Sequence, residues 1–252
     1  MAFEFFTPGL TPLLADCGYE FVILDMEHSG VGVEVIKQQI AYARGLPIEA
    51  WVRPPEKSYA AVATVLDAGA QGIMLPLVET ADEARALVEW ARYRPEGKRG
   101  LAFGVGHDAY RGREPVAAMA DANARNVLIA LIESRRGIEN AEAILEVPGI
   151  DAGWLGHFDL TSDLCIPAQF DHPDFLAAVD RLAAASERTG KPLGLLDARP
   201  ELLRRMAGKG FRILGFANDV AALRRGLTGG LADVRAAFEG RGERAGTGGG
   251  AT

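Results

Sequence analysis

Four short stretches place carboxylate, imidazole and guanidinium groups directly behind apolar runs: Asp25-Met26-Glu27-His28, Arg53-Pro54-Pro55, Glu133-Ser134-Arg135 and Gly156-His157-Phe158-Asp159. Glu133 and Asp159 end consecutive runs, so their carboxylates could converge on one hard divalent cation, Mg²⁺ or Mn²⁺, with water and substrate filling the remaining positions. The competing reading pairs Glu133 with Arg135 or Arg136 and makes Asp159 the cap of a turn at 160–163. His28 follows an acidic pair. Asp25, three residues earlier, could orient its ring and raise its basicity, which suits a general base; a structural imidazole is the alternative. Arg53 precedes two prolines that fix the turn, which aims a guanidinium at an anion or buries it in an ion pair. Asp67 ends a helical stretch, where negative charge opposes the macrodipole and needs a compensating partner. His107, Asp108, Tyr110 and Arg111 either reach over a pocket or form a solvated surface. His157 and Phe158 flank Asp159 and would shape the pocket, while His172 before Pro173 reads as structural.

The elements that must position these groups recur as an apolar run followed by an amphipathic stretch, the pattern of βα units on a parallel sheet. Eight runs are visible: Ala2–Phe6, Glu20–Asp25, Ile48–Arg53, Gly72–Leu75, Asn126–Ile132, Ala152–Leu155, Pro192–Leu195 and Arg212–Gly215. Helices are expected at Leu10–Cys17, Val31–Ala43, Tyr59–Ala68, Ala81–Tyr93, Ile138–Glu146, Pro173–Thr189, Pro200–Gly208 and Asp219–Phe238, the last interrupted at Gly229-Gly230. Glycines 18, 69, 149, 190 and 210 fall between a helix and the next strand, as C′ residues do. Eight such units predict a (β/α)₈ TIM barrel, with an open doubly wound sheet as the alternative; the G-x-G-x-x-G of a dinucleotide-binding sheet is absent. In a barrel the reactive groups sit at the C-terminal strand ends, where the four stretches lie. Residues 94–125 are too long for a simple connection and contain a helix-sized part at Pro115–Ala124.

A chain of 252 residues, 48% hydrophobic and 24% charged, suits one domain over 1–239, followed by a glycine-rich tail at 240–252 expected to be disordered. The formal net charge of −7 disfavours a nucleic-acid partner. No positive leader and no run of 18 apolar residues is present, which points to a cytoplasmic protein with no membrane partner. Two cysteines, Cys17 and Cys165, without C-x-x-C spacing, read as small core fillers. Only five lysines occur, and none ends an apolar run, so a Schiff-base mechanism is disfavoured; Lys98 on the long loop is the one exception to weigh.

Taken together, FVILDMEHSG, the run ending VRPP, VLDAGAQGIMLPLVETADEARALVEWARYRPEGKRG, LIESRRGIENAEAILEVPGID and LGHFDLT resemble the HpcH/HpaI aldolase family, metal-dependent pyruvate aldolases to which macrophomate synthase is related; the resemblance spans residues 2–235. It implies a (β/α)₈ barrel whose last helix is often exchanged within a trimer or hexamer. It also implies a divalent cofactor (Mg²⁺ or Mn²⁺, with Co²⁺ as a further option) and a 2-oxo acid and an aldehyde as reaction partners. By that resemblance His28 matches the catalytic histidine, Asp25 its partner in the same chain, Arg53 the arginine that stabilises the enolate, and Glu133 and Asp159 the metal ligands. Asp67 matches an aspartate that reaches a neighbouring subunit's histidine, and Phe158 takes the place of a residue whose backbone N–H holds the substrate carboxylate. Leu131 stands where the family often has glutamine, and Gly156-His157-Phe158-Asp159 where it often has Gly-Pro-Ala-Asp. These departures alter the substrate pocket and keep the groups for pyruvate-enolate chemistry. The expected reaction is aldol cleavage or formation of a 4-hydroxy-2-oxo acid; oxaloacetate decarboxylation, macrophomate-synthase-like enolate chemistry and a non-catalytic binding barrel are the alternatives.

Overall fold

Strand pairing follows the order of the apolar runs. In the computed structural model, which describes the main chain of residues 1–242 and the side chains of 1–238, seven runs form strands. They are β1 (Phe21–Asp25), β2 (Glu49–Arg53), β3 (Gly72–Leu75), β4 (Val127–Ile132), β5 (Ala152–Leu155), β6 (Leu193–Asp197) and β7 (Ile213–Phe216). Each strand is parallel to its neighbour in sequence order. Parallel neighbours require crossovers, and helices supply them. The helices are α1 (Leu10–Asp16), α2 (Val33–Ala43), α3 (Tyr59–Ala68), α4 (Ala81–Ala91), α5 (Pro115–Arg125), α6 (Arg135–Glu139), α7 (Ala141–Leu145), α8 (His157–Asp163), α9 (Pro173–Thr189), α10 (Pro200–Gly208) and α11 (Asp219–Gly242).

Alternation along each strand sorts its side chains between two cores. Ile23, Trp51, Met74, Ile129, Leu131, Ala152 and Trp154 meet inside the curled sheet. Val22, Leu24, Val52, Ile73, Leu75, Leu128, Ala130 and Ile132 face the helices. Burial on both faces explains why the runs read as continuously apolar. Helix starts are set locally: Ser58 caps α3, and Thr80 with Glu83 forms a capping box on α4. The expected glycines 18, 69, 149, 190 and 210 all have positive φ.

The eighth strand is corrected. Of Ala2–Phe6, only Ala2 bridges β1, opposite Leu24. The main-chain N–H groups of Phe3, Glu4 and Phe5 instead donate to the Asp219 carboxylate at 3.1, 2.9 and 2.7 Å, so the donors of a ladder are taken by one side chain. Met1 links the sheet's other edge: its nitrogen donates to the Ala217 carbonyl, and Asp219 N–H donates to the Met1 carbonyl. The architecture is therefore a curled seven-stranded parallel half-barrel clothed in helices, in place of the eight full strands expected.

Other expectations also change. α11 runs unbroken through Gly229-Gly230 to Gly242; an exposed helix tolerates glycine at a cost of about 1 kcal/mol each. Residues 243–252 of the expected tail lie outside the described residues. The helix expected at Ile138–Glu146 is two short ones, α6 and α7, meeting at Asn140. Cys17 and Cys165 are exposed rather than core fillers. Among the described residues no helix is long and apolar enough to cross a membrane.

Candidate active site

A cavity of about 590 Å³ opens at the C-terminal ends of the strands, lined by His28, Arg53, Glu133, His157, Phe158, Asp159, Asp197, Arg199 and Asn218 over an apolar floor that includes Met74, Leu131 and Trp154. Three of the four expected stretches enter it through His28, Arg53 and Asp159, and Glu133 brings the fourth. β1 and β2 are in register with Asp25 opposite Arg53, so both side chains fall on the inner face. There Arg53 Nε donates to Asp25 Oδ1 at 2.5 Å, and Arg53 Nη1 lies 2.8 Å from Glu27 Oε2.

Asp25 holds more than the guanidinium. It accepts the main-chain N–H of His28 on Oδ2 at 2.9 Å and that of Glu27 on Oδ1 at 3.3 Å. This corrects the expectation that Asp25 orients the imidazole: it ties down the backbone of the turn, and the exposed His28 ring lies 3.7 Å from Glu27 Oε2 instead. The fully buried Asp25 thus links the position of Arg53 to that of the His28 turn.

Glu133 is buried and its Oε1 accepts the main-chain N–H of Leu77 at 2.8 Å. In place of pairing with its own arginines Glu133 bonds Leu77, while Arg136 lies 3.6 Å from Glu79. Leu77 makes its bond from a left-handed backbone, φ 49°, which costs a non-glycine residue about 1–2 kcal/mol. Burial drives the Glu133 carboxyl up to about 7; the Leu77 N–H opposes this, and the nearby charges of Asp159 and Glu27 add to it. Arg53 is engaged by Asp25 and Glu27, which leaves Glu133 and Asp159 as the cavity carboxylates without a cationic partner, although among the described residues no cluster of three or more His, Cys, Asp or Glu side chains forms a complete metal site. A divalent cation held by all-oxygen ligands fits that deficit. Gly156 makes room for the Glu133 side chain: a Cβ there would lie 2.5 Å from the Glu133 Cβ and closer still to Oε2. Asp159 is exposed in the first turn of α8, and the turn is not capped by it; the N-cap is Gly156, without a side-chain bond.

Two residues that the sequence reading passed over complete the opposite wall. β6 ends at Asp197, whose Oδ2 lies 2.8 Å from His157 Nε2 and whose two oxygens take Arg199 Nε and Nη2 at 2.8 and 2.7 Å. Burial would raise the Asp197 carboxyl, but the bonds from Arg199 and His157 outweigh it and hold it far below the ordinary range. An acidic residue two before an arginine at a strand end was the available signal.

The remaining expected residues lie elsewhere. Asp67 takes its compensating charge from buried Arg99, at 2.6 Å, and does not line the cavity. Its loop neighbours His107, Asp108, Tyr110 and Arg111 are absent from the cavity lining as well. Arg44 at the end of α2 bonds the Gly106 carbonyl and stacks over Tyr110, which places that loop at the C-terminal ends of α2 and α3. His172 receives the N–H of Asp174 at the start of α9, a structural role as expected. Lys98 pairs with Glu89, Lys57 with Glu83, and no lysine lines the cavity.

A curled parallel sheet with acidic, imidazole and guanidinium groups around a cavity at its strand ends is the arrangement of an α/β enzyme. The chain belongs to the HpcH/HpaI aldolase/citrate lyase family, whose model matches residues 4–225, and it is a lyase. It is 32% identical over 212 residues to the hydroxypyruvate/pyruvate aldolase of Roseobacter denitrificans, covering 84% of this chain and 82% of that one. A crystal structure of an HpcH/HpaI aldolase/citrate lyase family protein from Burkholderia cenocepacia superposes with a TM-score of 0.86 at 31% identity, covering 91% of each chain. Macrophomate synthase superposes with a TM-score of 0.80 at 27% identity, covering 94% of this chain and 83% of the other.

Proposed function

We propose that this lyase is a metal-dependent aldolase that cleaves or forms a 4-hydroxy-2-oxo acid from pyruvate and an aldehyde. The observation that carries the reading is that His28, Arg53, Glu133 and Asp159 line one cavity at the strand ends. Glu133 and Asp159 would hold the cation, Mg²⁺ or Mn²⁺ or alternatively Co²⁺, which when bound supplies Lewis acidity toward the keto oxygen of a 2-oxo acid.

Arg53, fixed by Asp25, stabilises the oxygen on which negative charge develops. The Phe158 main-chain N–H binds the substrate carboxylate. In cleavage His28 removes the proton of the 4-hydroxyl; the C3–C4 bond breaks, leaving an aldehyde, and its electron pair passes into the pyruvate enolate. Protonation of the enolate at C3 gives pyruvate, and addition to an aldehyde is the reverse. Asp25 acts as the positioning residue for both groups.

A second copy of the chain completes the picture. Leu223, Leu227, Leu231, Val234 and Phe238 are exposed along α11 at helical spacing, an apolar stripe suited to exchange of this helix within a trimer or hexamer. Asp67, outside its own chain's cavity, would then act at a neighbouring subunit's histidine.

The test is exchange of pyruvate methyl protons with D₂O in the presence of Mg²⁺ or Mn²⁺, followed by NMR. Loss of the methyl signal that stops in chelator supports the reading. Absence of exchange with metal demonstrably bound overturns it, as does borohydride trapping of a pyruvate adduct.

A further inference from the structure

We infer that His157, held by Asp197 and Arg199, is a specificity residue that binds a hydroxyl group carried by one of the two reaction partners. The inference rests on the aldolase reading above and goes beyond it by naming the chemical feature that the opposite wall selects.

Apart from the groups assigned to the metal, base and oxyanion, the cavity wall carries His157, Asp197, Arg199, Asn218 and the Trp154 indole. Asn218 spends its Oδ1 on the Ala221 N–H at the start of α11. Both oxygens of Asp197 are occupied by Arg199 and His157, and Arg199 holds that carboxylate through two of its nitrogens while its guanidinium lies 4.4 Å over the Phe170 ring. Arg199 Nη1, Asn218 Nδ2 and the Trp154 indole can only donate, whereas the His157 ring is fixed through one nitrogen and keeps the other for a ligand. Its Nε2 is bonded to Asp197, and among the described residues Nδ1 has no hydrogen-bond partner.

The ring cannot turn away. It is 6% exposed and packs between Phe158 and Phe170, with ring centroids 4.6 and 5.1 Å apart. A carboxylate accepts, so Nε2 carries the hydrogen of that bond and Nδ1 is the ring atom left for a ligand. A hydroxyl, which can donate or accept, satisfies such a nitrogen, whereas a methyl group leaves it desolvated and unpaired. A site built to bond a substrate hydroxyl therefore rejects the analogue lacking it far more strongly than an apolar wall discriminates by size. The hydroxyl has two possible sources: C3 of the 2-oxo acid, as in hydroxypyruvate, or C2 of the aldehyde, as in glycolaldehyde.

Two arms of one kinetic experiment separate them on the metal-loaded full chain. The ratio of kcat/KM is measured for hydroxypyruvate against pyruvate with a common aldehyde, and for glycolaldehyde against acetaldehyde with pyruvate. In His157→Phe, which keeps the aromatic packing, the preference for the hydroxylated partner is expected to fall about tenfold or more in one arm. The arm that responds identifies the partner bearing the hydroxyl. Asp197→Asn, which loosens the ring's tether, is expected to lower the same ratio; it carries the test alone if His157→Phe fails to fold by circular dichroism. Ratios unchanged in both arms overturn the inference while the wild-type enolisation result stands. A folded His157→Phe protein that turns over no substrate pair also overturns it, because His157 would then serve the common chemistry. Failure of wild-type methyl exchange would instead remove the aldolase reading itself.

Discussion

Asp25→Asn is the most informative single substitution, because the side chain is fully buried and serves three donors with two oxygens: Arg53 Nε, Glu27 N–H and His28 N–H. An asparagine offers one acceptor oxygen, and its NH₂ must face a donor. The substitution therefore removes at least one bond, and the charged bond to Arg53 is worth about 1.5–3 kcal/mol. Arg53 is itself buried, and breaking a buried pair costs about 3–5 kcal/mol when no partner remains. Glu27 remains 2.8 Å from Nη1, so the loss is softened; we expect about 2–4 kcal/mol. For a protein of this size that lowers Tm by roughly 5–15 °C. The same change frees the His28 turn and the Arg53 side chain together, and misplacement of reacting groups by about 1 Å lowers kcat by about a hundredfold. Thermal unfolding by circular dichroism and steady-state cleavage of a 4-hydroxy-2-oxo acid measure the two effects. A variant with Tm within about 1 °C of wild type and a shifted pH–rate profile would refute the reasoning, since it would mean that Asp25 works through imidazole basicity and not by fixing backbone and guanidinium.

Three other predictions address separate parts of the molecule. Gly156→Ala drives a methyl group into Glu133 and should weaken Mn²⁺ binding by about 10- to 100-fold in calorimetry, with secondary structure intact; unchanged affinity would show that Glu133 does not hold the metal. Asp219 is pushed up by burial, but the N–H donors of Phe5, Glu4 and Phe3 outweigh this and hold its carboxyl below the ordinary value. Its contribution is therefore fully present above the unfolded pKa of about 3.9 and is lost as pH falls through the lower folded value. Asp219→Asn should lower Tm at neutral pH and flatten the acid limb of the stability curve, and an unchanged limb would count against this anchor. Paired substitution of Leu227 and Leu231 by glutamate should lower the molar mass seen by light scattering, whereas an unaltered assembly would exclude α11 as the contact between copies.

Much of the fold was legible in the apolar runs. Seven of eight became strands because a parallel strand buried on both faces has to be apolar along its length, and most helices followed from their 3.6-residue periodicity, the exceptions being α8, which was not expected, and the helix at 138–146, which is two short ones. The first run failed because its backbone donors are claimed by Asp219, more than 200 residues away in sequence, and no local pattern reports a partner at that distance. The same limit explains the site. His28, Arg53, Glu133 and Asp159 could be named from their places behind apolar runs, and the structure brings all four to one cavity.

The sequence alone determined which chemical groups stand at the strand ends, and it excluded lysine from them. Tertiary structure decided what those groups touch. Asp25 stands three residues before His28 in sequence, yet strand register put Arg53 beside it and left the imidazole ring to Glu27. Asp197 looked incidental until β6 carried it to His157, and Gly156 had no stated purpose until the Glu133 side chain passed across it. Strand-end chemistry is encoded in residue type and period, which are local; hydrogen-bond pairing, burial and the resulting shift of Glu133 depend on neighbours that only the curled sheet brings within reach.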